Sequence, residues 1–167
     1  MMMRAMPKFG TVPAEVPVQR SLAVCSPRFA SAVNGMLVTL NGGLTEMVFE
    51  TLRTEARQTF LYGFGRDYDD GRGKVTRAKS ALYSWHGFGL AVDVVEKDAT
   101  PWNAPESFWL SIGKAAEANG LAWGGRWEDR DLPHVQWAGC PVSPSDADRA
   151  LFTEKGMEAV WAKYGAA

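Results

Sequence analysis

A single carboxylate, Asp93, sits in the middle of the apolar run Leu90-Ala-Val-Asp-Val-Val95. Six residues rich in β-branched side chains and opened by glycine read as a buried strand. An ionised aspartate inside such a strand is costly unless something positive meets it. Upstream of the run, His86 is followed by Gly87 and Gly89, which relieve crowding where a backbone turns tightly. His86 is one of only two histidines in the chain. A metal ion shared by His86 and Asp93 would compensate the carboxylate.

The second histidine lies in a similar setting. Trp123-Gly-Gly-Arg-Trp127 is followed by Glu128-Asp-Arg-Asp131-Leu-Pro-His134-Val-Gln-Trp137, so His134 opens another short apolar stretch with Asp131 three residues before it. Two histidines, each near a carboxylate and each at the mouth of a predicted strand, point to a metal held by His86, Asp93 and His134. Three protein ligands with an open position for water are what catalytic zinc requires, whereas structural zinc sites are closed. Spacing alone leaves a second reading open, in which one histidine is buried in a hydrogen bond and the other lies on a loop.

The block Ser84-x-His86-x-x-Gly89-x-Ala91-x-Asp93, followed about forty residues on by Trp-Gly-Gly-x-Trp and acid-x-x-His134, resembles the zinc D-alanyl-D-alanine metallopeptidases. These comprise VanY-type carboxypeptidases and the L-alanyl-D-glutamate endopeptidases of phage endolysins. Glu50-Thr-x-Arg53, Arg57-Gln58, Leu61-Tyr62, Gly65-Arg66 and Val75-Thr76 fall in the family's order, so the resemblance runs from about Pro27 to the C-terminal helix. It implies an α+β fold, a single domain with a small antiparallel sheet flanked by helices, as in hedgehog and DD-peptidase domains. It implies Zn2+ on His86, Asp93 and His134, and Asp131 as the acid-base that takes a proton from water and returns it to the leaving amine. Many relatives carry glutamate there, and Glu128 and Asp129 are nearby alternatives. Arg53, which sequence alone reads as a surface salt bridge, becomes a ligand for a substrate carboxylate or the developing oxyanion, and Ser84 helps hold substrate. Gln58 is either a helix-surface residue or a polar wall of the cleft. Trp123 and Trp127 are either cleft wall or core support.

The implied substrate is the stem peptide of peptidoglycan. Cleavage between L-alanine and D-glutamate comes first, D-alanyl-D-alanine carboxypeptidase second. A non-catalytic, zinc-containing wall-binding module is the third reading.

A length of 167 residues, 46% hydrophobic and 22% charged, suits one domain with its own core. The net charge of −1 supplies no strong pull toward nucleic acid or an anionic membrane. No stretch approaches the roughly 20 apolar residues of a membrane span. The N-terminal Met1-Met-Met-Arg-Ala-Met-Pro7 is too short and broken for a secretory signal, so the expectation is cytoplasmic synthesis and access to the wall after holin action or lysis. Cys25 and Cys140 are expected as free, buried thiols, and the protein as a monomer.

In chain order, 1–26 is expected as an extended lead-in, 27–142 as the catalytic domain and 143–167 as a helical segment packed on it. A helix starts at Pro27 with Ser26 as cap and places Phe29, Val33, Met36, Leu37 and Leu40 on one face, stopped by Asn41-Gly-Gly43. Thr45–Arg53 alternates as a half-buried strand, with Met47, Phe49 and Thr51 on one side and Glu46, Val48 and Glu50 on the other. Thr54 caps a helix to Phe64 whose shared face is Ala56, Phe60 and Phe64. Residues 66–74 form a solvated loop or a lid, and 98–103 a turn region. A helix from Pro105 turns Phe108, Ile112, Ala115 and Ala116 inward and ends at Asn119-Gly120. The C-terminal helix, interrupted at Gly156, carries Met157, Val160, Trp161 and Tyr164 as its apolar stripe.

Overall fold

A computed structural model describes residues 9–40, 46–97 and 100–167. Its α-helices are α1 (Pro27–Leu40), α2 (Glu55–Gly63), α3 (Glu106–Ala118), α4 (Asp146–Lys155) and α5 (Met157–Lys163). Its strands are β1 (Glu46–Glu50), β2 (Ala91–Glu96), β3 (Leu121–Trp123) and β4 (His134–Trp137), paired antiparallel in the order β1-β2-β4-β3. This is the α+β architecture with a small antiparallel sheet expected from the sequence.

The 3.6-residue period makes α1. Phe29, Val33, Met36 and Leu40 recur on one stripe and are all buried, each contributing about 1.5–3 kcal/mol. The Ser26 hydroxyl accepts from the Phe29 N–H, capping the first turn. The helix stop expected at Asn41-Gly-Gly43 lies outside the described residues, as do Thr45 and Asp98. α3 packs on α1 and against β3, burying Phe108, Trp109, Ile112, Ala115 and Ala116. It ends at Asn119, with Gly120 at φ +73°. β2 is buried at every position from Ala91 to Val95.

The C-terminal segment is fastened to strand β4 and to the turn before β2 by indoles. Trp137 Nε1 donates to the Tyr164 carbonyl at 2.9 Å, and Trp161 Nε1 donates to the Phe88 carbonyl at 2.6 Å. Ser145 and Asp148 form a capping box on α4. Asp148, fully buried, also accepts from Lys163 Nζ at 2.6 Å and the Tyr164 hydroxyl at 2.9 Å, locking α4 to the end of α5. Desolvation pushes its carboxyl up, but Lys163, the Ser145 backbone and hydroxyl, and Tyr164 more than offset this and hold it at about 2. Cys25 and Cys140 are free and buried, as expected. Burial raises their thiols to about 11 and about 12.

Two local readings are corrected. α2 turns Arg57, Gln58 and Phe60 inward and leaves Ala56 exposed, because its inner face meets a buried carboxylate rather than apolar core. β1 is not a simple alternating strand. Met47 faces Val95 and Val48 faces Val94, but the register then slips, so Glu50 instead of Phe49 stands opposite Asp93. Such a bulge re-aims one side chain. Here it swings Glu50 into the protein, at 2% exposure.

Candidate metal centre

Sheet register assembles the site. Glu50 on β1, Asp93 on β2 and His134 on β4 are direct cross-strand partners and form one row across three strands. His86 comes from outside the sheet, on the single 3-10 turn Trp85–Phe88. That turn closes through Gly89, whose φ of +64° an L side chain rarely adopts. Ser84 caps the turn by accepting the His86 N–H at 3.4 Å and is half-buried.

The donor atoms converge. His86 Nε2 lies 3.2 Å and His134 Nδ1 3.6 Å from Asp93 Oδ1, and one ligand atom from each of the three residues falls within 4.8 Å of the others. Tetrahedral zinc with ligand bonds of about 2.0–2.1 Å separates its donors by roughly 3.4 Å, so the set fits such an ion. Among the described residues this is the group able to hold a metal.

The far side of each ring fixes its tautomer. His86 Nδ1 stands 2.8 Å from the Thr51 carbonyl, an acceptor only, so Nδ1 carries the proton and Nε2 presents a lone pair. His134 Nε2 stands 3.0 Å from Gln136 Oε1, whose orientation is set because Gln136 Nε2 donates to the Pro141 carbonyl at 2.9 Å. The proton is therefore on His134 Nε2, and Nδ1 faces Asp93. Outer acceptors on ligand histidines are a regular feature of metal sites. Gln136 had a sequence signal, a polar residue two positions from a histidine on an apolar strand. The Thr51 carbonyl had none.

Electrostatics favour the anion at Asp93. Desolvation pushes its carboxyl up, but the neighbouring His86, His134 and the Arg53 charge hold it well below the usual carboxylate range. His134 is raised above its ordinary value: burial opposes the charge, while Asp93 and Asp131 favour it more strongly.

Asp131 stands at the solvent-exposed rim, outside the three-ligand set. Desolvation and Asp93 raise its carboxyl, against the lowering pull of His134, His86 and Arg53. Its backbone carbonyl accepts the His134 N–H at 3.3 Å, so the two residues share one turn. That turn lies on Gly124, where an added Cβ would meet the Asp131 carbonyl oxygen at 2.5 Å. Asp129 is drawn away into an ion pair with Arg77 on the surface, and Glu128 is exposed.

The remaining predicted site residues divide. Trp127 is half-buried with its ring centroid 5.1 Å from that of His134, forming a wall beside the candidate ligand set. Trp123 is core: it is buried, donates to the Leu132 carbonyl at 2.7 Å, and has its ring against Gly113 and Gly125. Gln58 is wholly buried, accepting from Arg53 Nη1 at 3.1 Å and donating to the Ala78 carbonyl at 2.5 Å. Arg53 donates to Glu50, Gln58 and Asp93, which leaves one N–H on Nη1.

Residues 77–137, which contain both histidines, Asp93 and Asp131, match the peptidase M15 family described as D-alanyl-D-alanine carboxypeptidase. That match spans about a third of the chain. Over 107 residues the chain is 29% identical to the peptidoglycan L-alanyl-D-glutamate endopeptidase CwlK of Bacillus subtilis, covering 58% of this chain and 62% of that protein's length. The vancomycin resistance D,D-pentapeptidase VanY, solved with Zn(II), shares the fold at a TM-score of 0.51 and 12% identity, over 89% of this chain and 92% of that one. The Serratia marcescens L-Ala D-Glu endopeptidase ChiX aligns at 25% identity and a TM-score of 0.49, over 70% of this chain and 82% of its own. No helix among the described residues is long and apolar enough to cross a membrane.

Proposed function

We propose that this chain is a zinc-dependent peptidoglycan peptidase that hydrolyses an amide bond of the stem peptide, and that the bond lies between L-alanine and D-glutamate. The observation carrying this reading is the convergence of His86 Nε2, Asp93 Oδ1 and His134 Nδ1, each with its other polar atom already engaged, beside a carboxylate at the solvent rim. These three atoms would hold zinc, which when bound acts as a Lewis acid and lowers the pKa of a coordinated water to about 7.

The chain's own residues supply the rest. Asp131 takes the proton from the attacking water and delivers it to the leaving amine, a role that suits a carboxylate raised above its ordinary value at the mouth of the site. Trp127, against His134, offers a flat apolar wall for the peptide. Arg53 has the free N–H of Nη1 for a substrate oxygen, and Ser84 acts by holding the His86 turn. The substrate is approached from the wall side, and neither nucleic acid nor membrane takes part. The protein acts on the wall as a monomer.

The choice of bond leans on the endopeptidase relative, while the family description favours D-alanyl-D-alanine carboxypeptidase as the second reading. Digestion of a defined muropeptide followed by mass analysis separates them. Release of a fragment beginning at D-glutamate supports the first, and release of D-alanine alone supports the second. No turnover by the zinc-loaded protein refutes both and leaves the binding module.

A further inference from the structure

A row of residues that faces each other across antiparallel strands should not carry two bare carboxylates, because like charges directly opposite repel. Yet the bulge in β1 puts Glu50 opposite Asp93, and both are buried. Without the slip Phe49 would occupy that place and no charge would need compensation. The conflict is resolved by arginine. Arg53 Nη2 donates to Glu50 Oε2 at 2.7 Å and to Asp93 Oδ2 at 3.2 Å, while its Nε donates to Glu50 Oε2 at 3.1 Å. The other Glu50 oxygen, Oε1, accepts from Arg57 Nε at 2.8 Å, and Arg57 is tied by Nη1 to the Val16 carbonyl at 3.2 Å. Two arginines and two carboxylates thus form a charge-balanced buried chain running from the lead-in segment to the candidate metal ligand Asp93.

The two oxygens of Asp93 are divided by this chain. Oδ1 faces both histidines, and Oδ2 is spent on Arg53. We propose that Glu50 is a positioning residue for the metal centre: held by Arg57, it fixes Arg53, which occupies Asp93 Oδ2 and so restricts Asp93 to a single ligating oxygen. A one-oxygen aspartate keeps the coordination number low and a position open for water, as a catalytic site requires. This inference rests on the zinc reading above and says how the chain prepares the site. The bulge is then the device that brings the positioning carboxylate to the ligand strand.

Glu50→Gln keeps the shape and removes the charge. Equilibrium competition with a chelating indicator should show zinc bound about 10–100-fold more weakly than by wild type, the usual cost of losing an outer partner. In the cobalt(II)-substituted protein the d–d absorption should weaken and shift, because Asp93 becomes free to ligate through both oxygens. Circular dichroism checks that the variant is folded. Arg57→Lys keeps a cation against Glu50 but loses the Nε contact, and it should move both readouts in the same direction by less. It decides the matter if Glu50→Gln does not fold. Wild-type zinc affinity and an unchanged cobalt spectrum in either folded variant would overturn the proposal. A wild-type protein that takes up no zinc would overturn the metal reading itself and the proposal with it.

Discussion

Replacing Gly124 by alanine tests whether the turn carrying Asp131 and His134 is held to the accuracy that metal chemistry needs. The new Cβ would meet the Asp131 carbonyl oxygen at 2.5 Å, Asp131 Cβ at 3.1 Å and His134 Cβ at 3.2 Å. A carbon and a carbonyl oxygen rest at about 3.3–3.6 Å, so the turn must retreat by roughly 0.8–1 Å. The obstructing oxygen is the one that accepts the His134 N–H, so the retreat moves the ligand and the acid together. Metal-ligand distances tolerate only about 0.2 Å. Overpacking of this kind costs about 1–3 kcal/mol of stability. Misplacing a catalytic group by about 1 Å costs around 10²-fold in rate. Gly124→Ala should therefore melt below wild type, bind zinc more weakly and lose about 10²-fold or more in turnover of a stem peptide. Wild-type zinc affinity and turnover in this variant would refute the claim that the turn has no slack.

Three further outcomes follow from the same structure. Asp131→Asn should retain zinc while kcat falls about 10²–10⁴-fold; near wild-type activity, with zinc confirmed by metal analysis, would remove Asp131 from its role. Asp148 is held at about 2, below its unfolded value, so its stabilisation is complete above pH 4 and is lost as pH falls through 2. The wild type should exceed Asp148→Asn by about 2 kcal/mol in denaturant unfolding at pH 7 and by roughly half that at pH 3; a gap that does not shrink on acidification would contradict this. Cys25→Ser and Cys140→Ser should stay active, and the native thiols, protonated at neutral pH, should resist alkylation until the protein unfolds. Activity that depends on oxidised thiols would refute it.

The three candidate metal ligands stand out in the sequence because each breaks a local rule. Asp93 is a charge in a buried strand, and His86 and His134 are the only imidazoles, set where glycines and a short apolar run mark turns and strands. Helices α1 and α3 were legible through period and caps, since their apolar stripes face ordinary core. What failed was the polar interior. Alternation assigns faces only while register is regular, and the slip between Val48 and Glu50 depends on long-range pairing with β2 that no local pattern encodes. For the same reason α2 was read by its apolar residues, although its inner face exists to meet Glu50 through Arg57 and to hold Arg53 through Gln58. Trp123 and Trp127 share one motif and differ only in what lies against them: Gly113 and Gly125 for the first, His134 for the second.

Metal analysis of the purified wild-type protein beside His86→Ala, Asp93→Ala and His134→Ala goes most directly to the centre of this account. One zinc per wild-type chain, with loss of the ion in each of the three variants, is the expected result. Zinc retained at wild-type stoichiometry in any of them, or a wild-type protein that binds none, would contradict it.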